Sequence, residues 1–175
     1  MLPGGTASCY PVGVAILGAG AVLNVVGVAT PEWVVSPTSH QGLWKWCQQG
    51  TCYDIPENSK SDVFKVCETF AILGVIASGA AFVSALLYLV LPMLNKSSHK
   101  ILNVMALLLG FAGAVFIVIC LSTWAAKVRP DLTEADTDLG YSFFLSVAGL
   151  CLVAIGSPFV FFQGRRFGSY SLIGD

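Results

Sequence analysis

Charge is what this sequence has least of. Only 11% of its residues are Asp, Glu, Lys or Arg, against about 25% in a soluble domain. The nine basic and ten acidic residues nearly cancel, for a net charge of −1. That excludes a nucleic-acid-binding footprint, which requires a basic face. It also excludes intrinsic disorder, because 55% of residues are hydrophobic and net charge is close to zero. Histidine is equally scarce, with His40 and His99 alone. What is abundant is apolar side chain, and mean hydropathy reaches +0.77. At 175 residues the chain has room for about one domain.

The gaps between charges set the architecture. No charged side chain occurs over 2–31, 69–95, 101–126 or 139–164. Each gap exceeds the roughly 20 residues that cross a hydrocarbon core about 30 Å thick. Lipid offers the backbone no hydrogen bonds, so each crossing must be helical. We therefore expect an all-α membrane protein, a single domain over 1–175, with spans at about 11–30, 68–92, 101–125 and 141–162. Gly27-Val28-Ala29 offers small residues for signal cleavage. Against it stand a missing positive n-region and an apolar run too long for an h-region. Small residues recur at packing intervals: Ala15 and Ala19, Gly74 and Ser78, and Ala106, Gly110 and Ala114. Such pairs let helix backbones approach closely in lipid.

An even number of spans puts both termini on one side. That side holds the short connection 93–100 and the tail 163–175, with four Lys/Arg; loops 31–67 and 126–140 hold five. The positive-inside rule counts only these residues. The higher density in the short segments points to cytoplasmic termini. Asn95-Lys96-Ser97 fits the glycosylation pattern on the side assigned to the cytoplasm, and a glycan there would invert the topology.

Cysteine supports the same orientation. Cys47 and Cys52 flank Gln48-Gln49-Gly50-Thr51, a four-residue connection with aromatic-rich neighbours on both sides. A hairpin would oppose the two sulfurs at disulfide distance, and such a bond persists only in an oxidising compartment. The alternative is a reduced pair on the cytoplasmic face. Cys120 and Cys151 lie within spans as packing residues. Cys9 stands at the cytoplasmic end of the first span, a position open to palmitoylation, which sequence alone does not establish. Cys67, at the outer end of the second, has no partner that sequence assigns.

The first outer loop reads Thr30-Pro31-Glu32-Trp33, then His40-Gln41-Gly42-Leu43-Trp44-Lys45-Trp46-Cys47, then Cys52. Trp33 followed by Gly42-Leu43-Trp44 and the two cysteines resembles the claudin superfamily, which includes the peripheral myelin, epithelial membrane and lens fibre membrane proteins. Gly140-Tyr141-Ser142 at the fourth span looks like family usage as well. The resemblance implies a left-handed four-helix bundle capped outside by a small antiparallel β-sheet. Trp33, Trp44 and Trp46 would seat that sheet on the helix ends. The four-residue gap between cysteines is shorter than in most claudins and looks more like the lens fibre and epithelial membrane branch. The ending Leu172-Ile173-Gly174-Asp175 lacks the hydrophobic terminus that PDZ scaffolds bind.

No enzymatic motif is present, and we expect no enzyme, no cofactor and no metal. The spans carry no charge away from their ends, which disfavours an ion route through the bundle; Asn24 is placed to hydrogen-bond another helix. Function should then lie in contacts: with membrane lipids, with copies in the same membrane and with related proteins on the adjacent cell. The resemblance implies a plasma-membrane, cell–cell junction protein forming a paracellular barrier or a weakly cation-selective path. Loop charges of −1 over 31–67 and −2 over 126–140 suit cations. Asp54, Glu57, Asp62 and Lys65 are the candidate pore-lining or interface residues. The alternatives are an adhesive membrane-organising protein of the lens or epithelial type, or an auxiliary channel subunit of the gamma type.

Overall fold

The computed structural model describes residues 9–91, 100–128 and 138–170, with side chains of 127–128 and 166–170 left aside. The sequon Asn95-Lys96-Ser97, His99, most of the connection 93–100, the second-loop acids Asp131, Glu134 and Asp136, and the tail 171–175 lie outside the described residues.

Four long helices carry the fold: α1 (Cys9–Ala29), α2 (Asp62–Val90), α3 (Lys100–Thr123) and α4 (Tyr141–Tyr170). All four are long and apolar enough to cross a membrane. Even α1, with 21 residues, reaches about 32 Å at 1.5 Å per residue. Two helices outrun the expected spans. α2 starts at Asp62 rather than 68, because Ser61 caps it by accepting from the Phe64 amide at 3.3 Å and Asp62 suits the positive end of the helix. α4 continues past 162 and absorbs Pro158, and α3 passes into a π-helical turn at Trp124–Val128.

Between α1 and α2 the chain lays down four strands: β1 (Val34–Val35), β2 (Ser39–Gln41), β3 (Lys45–Gln48) and β4 (Thr51–Asp54). A fifth, β5 (Asp138–Leu139), joins from the stretch before α4. The antiparallel sheet has the order β4-β3-β2-β1-β5. The expected bundle with its small sheet is therefore what forms.

Packing is cyclic: α1 lies against α2 and α4, and α3 against both of those. The α1–α4 seam is a row of glycines. Gly13, Gly20 and Gly27 recur every seven residues, the repeat that keeps one seam facing a partner helix. A Cβ on Gly20 would stand 2.9 Å from the Val153 amide nitrogen, and one on Gly27 would meet Ser146. From the other side, Gly149 receives the Asn24 side chain and Gly156 lies under Leu17. Ala15 and Ala19, singled out as packing residues, face outward instead, because the glycines let α4 approach on their own face. Gly74, Ser78, Ala106, Gly110 and Ala114 are buried as expected. Asn24 is buried as well, but its Oδ1 finds no hydrogen-bond partner among the described residues. The inter-helix amide bond comes from Asn103, whose Nδ2 donates to the Phe161 carbonyl at 3.0 Å.

Outward faces are apolar. Val22, Ile76, Phe111, Ile155 and Phe162 are each at least 60% exposed, an arrangement that lipid, not water, would solvate. Inside, one cluster joins Trp33, Leu43, Phe64, Cys67, Cys120 and Trp124 at the sheet end. A second joins Tyr10, Leu17, Tyr88, Val153 and Val160 towards the far end. There Tyr88 donates to the Gly164 carbonyl at 3.0 Å, and Tyr10 to that of Ala85 at 3.2 Å.

Candidate functional site at the sheet end

Pro31 ends α1, and its missing N–H creates a local problem. A helical Gly27 carbonyl would normally accept from residue 31, which here has nothing to donate. The Trp33 indole supplies the bond, donating to the Gly27 carbonyl at 2.8 Å. The next carbonyl, Val28, receives the Trp44 indole at 2.8 Å. Two tryptophans from the loop thus finish the helix they follow and fasten the sheet to it. Trp33 is fully buried and meets Trp124 and Phe143 edge-on, with centroids 5.2 and 5.8 Å away.

Gly42-Leu43-Trp44 works as a unit. A Cβ on Gly42 would fall 2.5 Å from Pro31 Cα, so only glycine lets the chain pass over the end of α1. Leu43 then drops into the core, fully buried, and Trp44 reaches Val28. Gly140-Tyr141-Ser142 completes the junction from the α4 side. The Gly140 amide donates to the Trp33 carbonyl at 3.0 Å, and the Ser142 amide to that of Glu32 at 3.1 Å. The Ser142 hydroxyl lies 2.7 Å from that of Thr30.

Trp46 does not take the seating role expected of it. Side chains alternate across a strand, and with Cys47 buried its neighbour must point out. Trp46 is exposed and pairs across the strands with the exposed Tyr53, ring centroids 6.3 Å apart.

Cys47 and Cys52 are register partners joined by a disulfide, their Cα atoms 4.0 Å apart. The hairpin is tighter than the four-residue connection expected. Gln48 and Thr51 still pair, leaving Gln49 and Gly50 at φ of 51° and 83°, the two left-handed residues of a type I′ turn. His40 also lies close, within 4.8 Å of both sulfurs, but those sulfurs are bonded to one another. Serine at both positions is expected to cost about 2 kcal/mol for so short a loop. Hydrogen exchange at the β3 and β4 amides should accelerate about 30-fold accordingly.

The four candidate pore or interface residues do not form a ring. Asp54 ends β4, exposed and opposite Lys45. Glu57 sits in the following 3-10 turn, and Asp62 and Lys65 stand exposed on the first turns of α2. Glu57 is already paired, with Lys60 Nζ 2.7 Å from its Oε1. The same ammonium lies 2.8 Å from Glu68 Oε1, close enough for an ion pair though not at a hydrogen-bonding angle. Lys60 and Glu68 were not foreseen as partners, yet both side chains are at most 10% exposed. Burial disfavours the Lys60 ammonium, but the hydrogen bond to Glu57 and the negative charge of Glu68 together outweigh it and raise its pKa. Glu57 is held below the usual carboxylate range by the hydrogen bond and charge of Lys60.

Lys60→Met is expected to destabilise the fold by about 3 kcal/mol, because it strands the Glu68 carboxylate; Lys60→Met with Glu68→Leu should recover most of the loss. Thermal unfolding of the three proteins in detergent checks this. The stabilisation from a raised Lys60 is complete below the ordinary lysine pKa and disappears as pH climbs through the raised value. That from Glu57 is complete above the ordinary glutamate pKa and disappears as pH falls through the lowered one. Stability should therefore be level around neutrality, and the alkaline decline should be smaller in the Lys60→Met protein.

A model of the PMP-22/EMP/MP20/Claudin family matches residues 11–159. No curated protein matches the sequence.

Proposed function

The chain belongs to the PMP-22/EMP/MP20/Claudin family, and on that premise we propose that it is a claudin-like cell–cell junction protein of the plasma membrane. In this reading both termini are cytoplasmic and the sheet stands outside the cell, where a disulfide endures. Copies associate within one membrane and meet the same or related proteins on the next cell through the sheet. Family membership points to a structural role and not to catalysis.

The observation that carries the reading is the surface of the hairpin. All four residues of β4 are exposed, at an edge of the sheet, and Trp46 and Tyr53 display an aromatic pair on it. Exposed aromatics on a braced scaffold suit a contact surface, and the indole bonds and disulfide hold the scaffold still. Selectivity, where a paracellular path forms, would rest mainly on Asp54. Glu57 is compensated locally by Lys60, so its charge projects less.

The test is transepithelial resistance with Na⁺/Cl⁻ dilution potentials in a claudin-deficient monolayer expressing the chain. A changed resistance or ion preference, lost when Cys47 and Cys52 become Ser, is the expected result. Asp54→Asn should shift any cation preference more than Glu57→Gln. No change despite surface expression would remove the barrier reading in favour of an adhesive membrane-organising protein. The four-residue gap between Cys47 and Cys52, shorter than in most claudins, is the feature that favours that second reading.

A further inference from the structure

Two cysteines outside the sheet face each other across the α2–α3 seam. Cys67 lies in the second turn of α2 and Cys120 in the last turn of α3, with their Sγ atoms 2.9 Å apart. Cys67 Sγ also donates to the Cys120 carbonyl at 3.3 Å. The sulfurs are about 0.9 Å from bonding distance. We propose that Cys67 and Cys120 are an oxidative modification site, joined as a second disulfide that ties α2 to α3 beneath the sheet.

Three features bring them together. The backbones are held close by glycine: Ile117 packs where a Cβ of Gly74 would be, and a Cβ on Gly113 would stand 3.0 Å from the Ser78 amide nitrogen. The sulfurs therefore have little freedom to separate. Neither remaining cysteine competes, since Cys9 lies at the far end of the bundle and Cys151 is exposed on α4. Finally, the pair sits at the same end as Cys47–Cys52, and the inference rests on the proposed topology in which that end meets an oxidising compartment.

The chemistry is thiol–disulfide exchange with the disulfide of an oxidoreductase in the secretory pathway. One cysteine thiolate attacks the carrier disulfide, forming a mixed disulfide and releasing one carrier thiol. The second cysteine then displaces the other carrier sulfur. Two S–H bonds are lost and one S–S bond is gained, and the two electrons and two protons end on the carrier as a dithiol. The exchange precedes final packing, because in the folded chain Cys67 and Cys120 are at most 1% exposed and the Phe64 and Trp124 rings meet 5.6 Å apart in the same cluster. Once closed, the bond is shielded from reductants by that burial.

Site-resolved labelling of the full chain from epithelial cell membranes tests this. The protein is denatured in N-ethylmaleimide, reduced, and labelled again with an isotopically heavy maleimide before mass spectrometry. Cys47, Cys52, Cys67 and Cys120 should all carry the heavy label. In a Cys120→Ala protein, Cys67 should change to the light label while Cys47 and Cys52 stay heavy. Light label on Cys67 and Cys120 beside heavy label on Cys47 and Cys52 would overturn the second disulfide and leave the topology standing. Light label on all four would overturn both. A heavy label on Cys67 that survives Cys120→Ala would overturn the pairing.

Discussion

Trp33→Ala should cost about 4 kcal/mol, among the largest losses a single truncation in this chain can produce. The ring is fully buried and fills the space between Trp124 and Phe143. Its removal opens a cavity under the sheet and takes away two edge-on aromatic contacts. It also removes the indole N–H that, among the described residues, donates to the Gly27 carbonyl, which Pro31 cannot serve. Trp33→Phe separates these contributions. It keeps most of the apolar volume, so its loss should come mainly from the hydrogen bond, about 1–3 kcal/mol for a buried acceptor left unpaired, with a smaller cost for the ring volume removed. Denaturant titration in detergent, followed by far-UV circular dichroism, gives both values. A Phe variant as unstable as the Ala variant would assign the whole effect to the indole bond; one as stable as the native protein would remove that bond from the account.

Gly140→Ala is expected to be nearly as damaging, although it adds one methyl group. The new Cβ would overlap the Glu32 carbonyl oxygen and press on Val35. Both neighbours belong to the junction where the chain before α4 crosses the start of β1, and the obstruction is backbone, which has no rotamer to escape into. Relief requires opening the bonds from Gly140 to Trp33 and from Ser142 to Glu32. We expect a loss of about 3 kcal/mol, with α4 poorly docked and less protein delivered to the cell surface. Gly79→Ala is the control. Nothing lies within 4 Å of a Cβ there, and alanine in a helix interior should be neutral or stabilising by up to about 1 kcal/mol. Equal damage at both positions would show that glycine content, and not the Glu32 contact, is being measured.

Much of this fold can be read in the sequence because its determinants are local. Gaps in charge mark the four helices without reference to any contact, and turn chemistry with the cysteine spacing marks the hairpin. Trp33 and Gly42-Leu43-Trp44 stand out for the same reason, as uncommon residues at short spacing. What escapes is set by the rotation of one element against another. Ala15 and Ala19 read as well as Gly13, Gly20 and Gly27 do for a packing face, and only the position of α4 decides between them. Trp46 reads as an anchor until the register of β3 turns it outward. Lys60 and Glu68 are eight positions apart, with the start of α2 between them, and neither residue type signals a buried pair. Cys67 and Cys120 are separated by 53 positions, and their meeting depends on how α2 and α3 are phased along a shared seam.

The glycine seam between α1 and α4 also bears on how the protein is made. Helix α1 finds its main partner in α4, made three helices after it, and β5, the strand beside β1, is likewise supplied just before α4. Until α4 has been made, Gly13, Gly20 and Gly27 lack the helix that packs on them, and β1 lacks its β5 neighbour. The ring of helices therefore closes only when α4 docks on α1, and the same event completes the sheet, so the seam and the sheet edge are finished together.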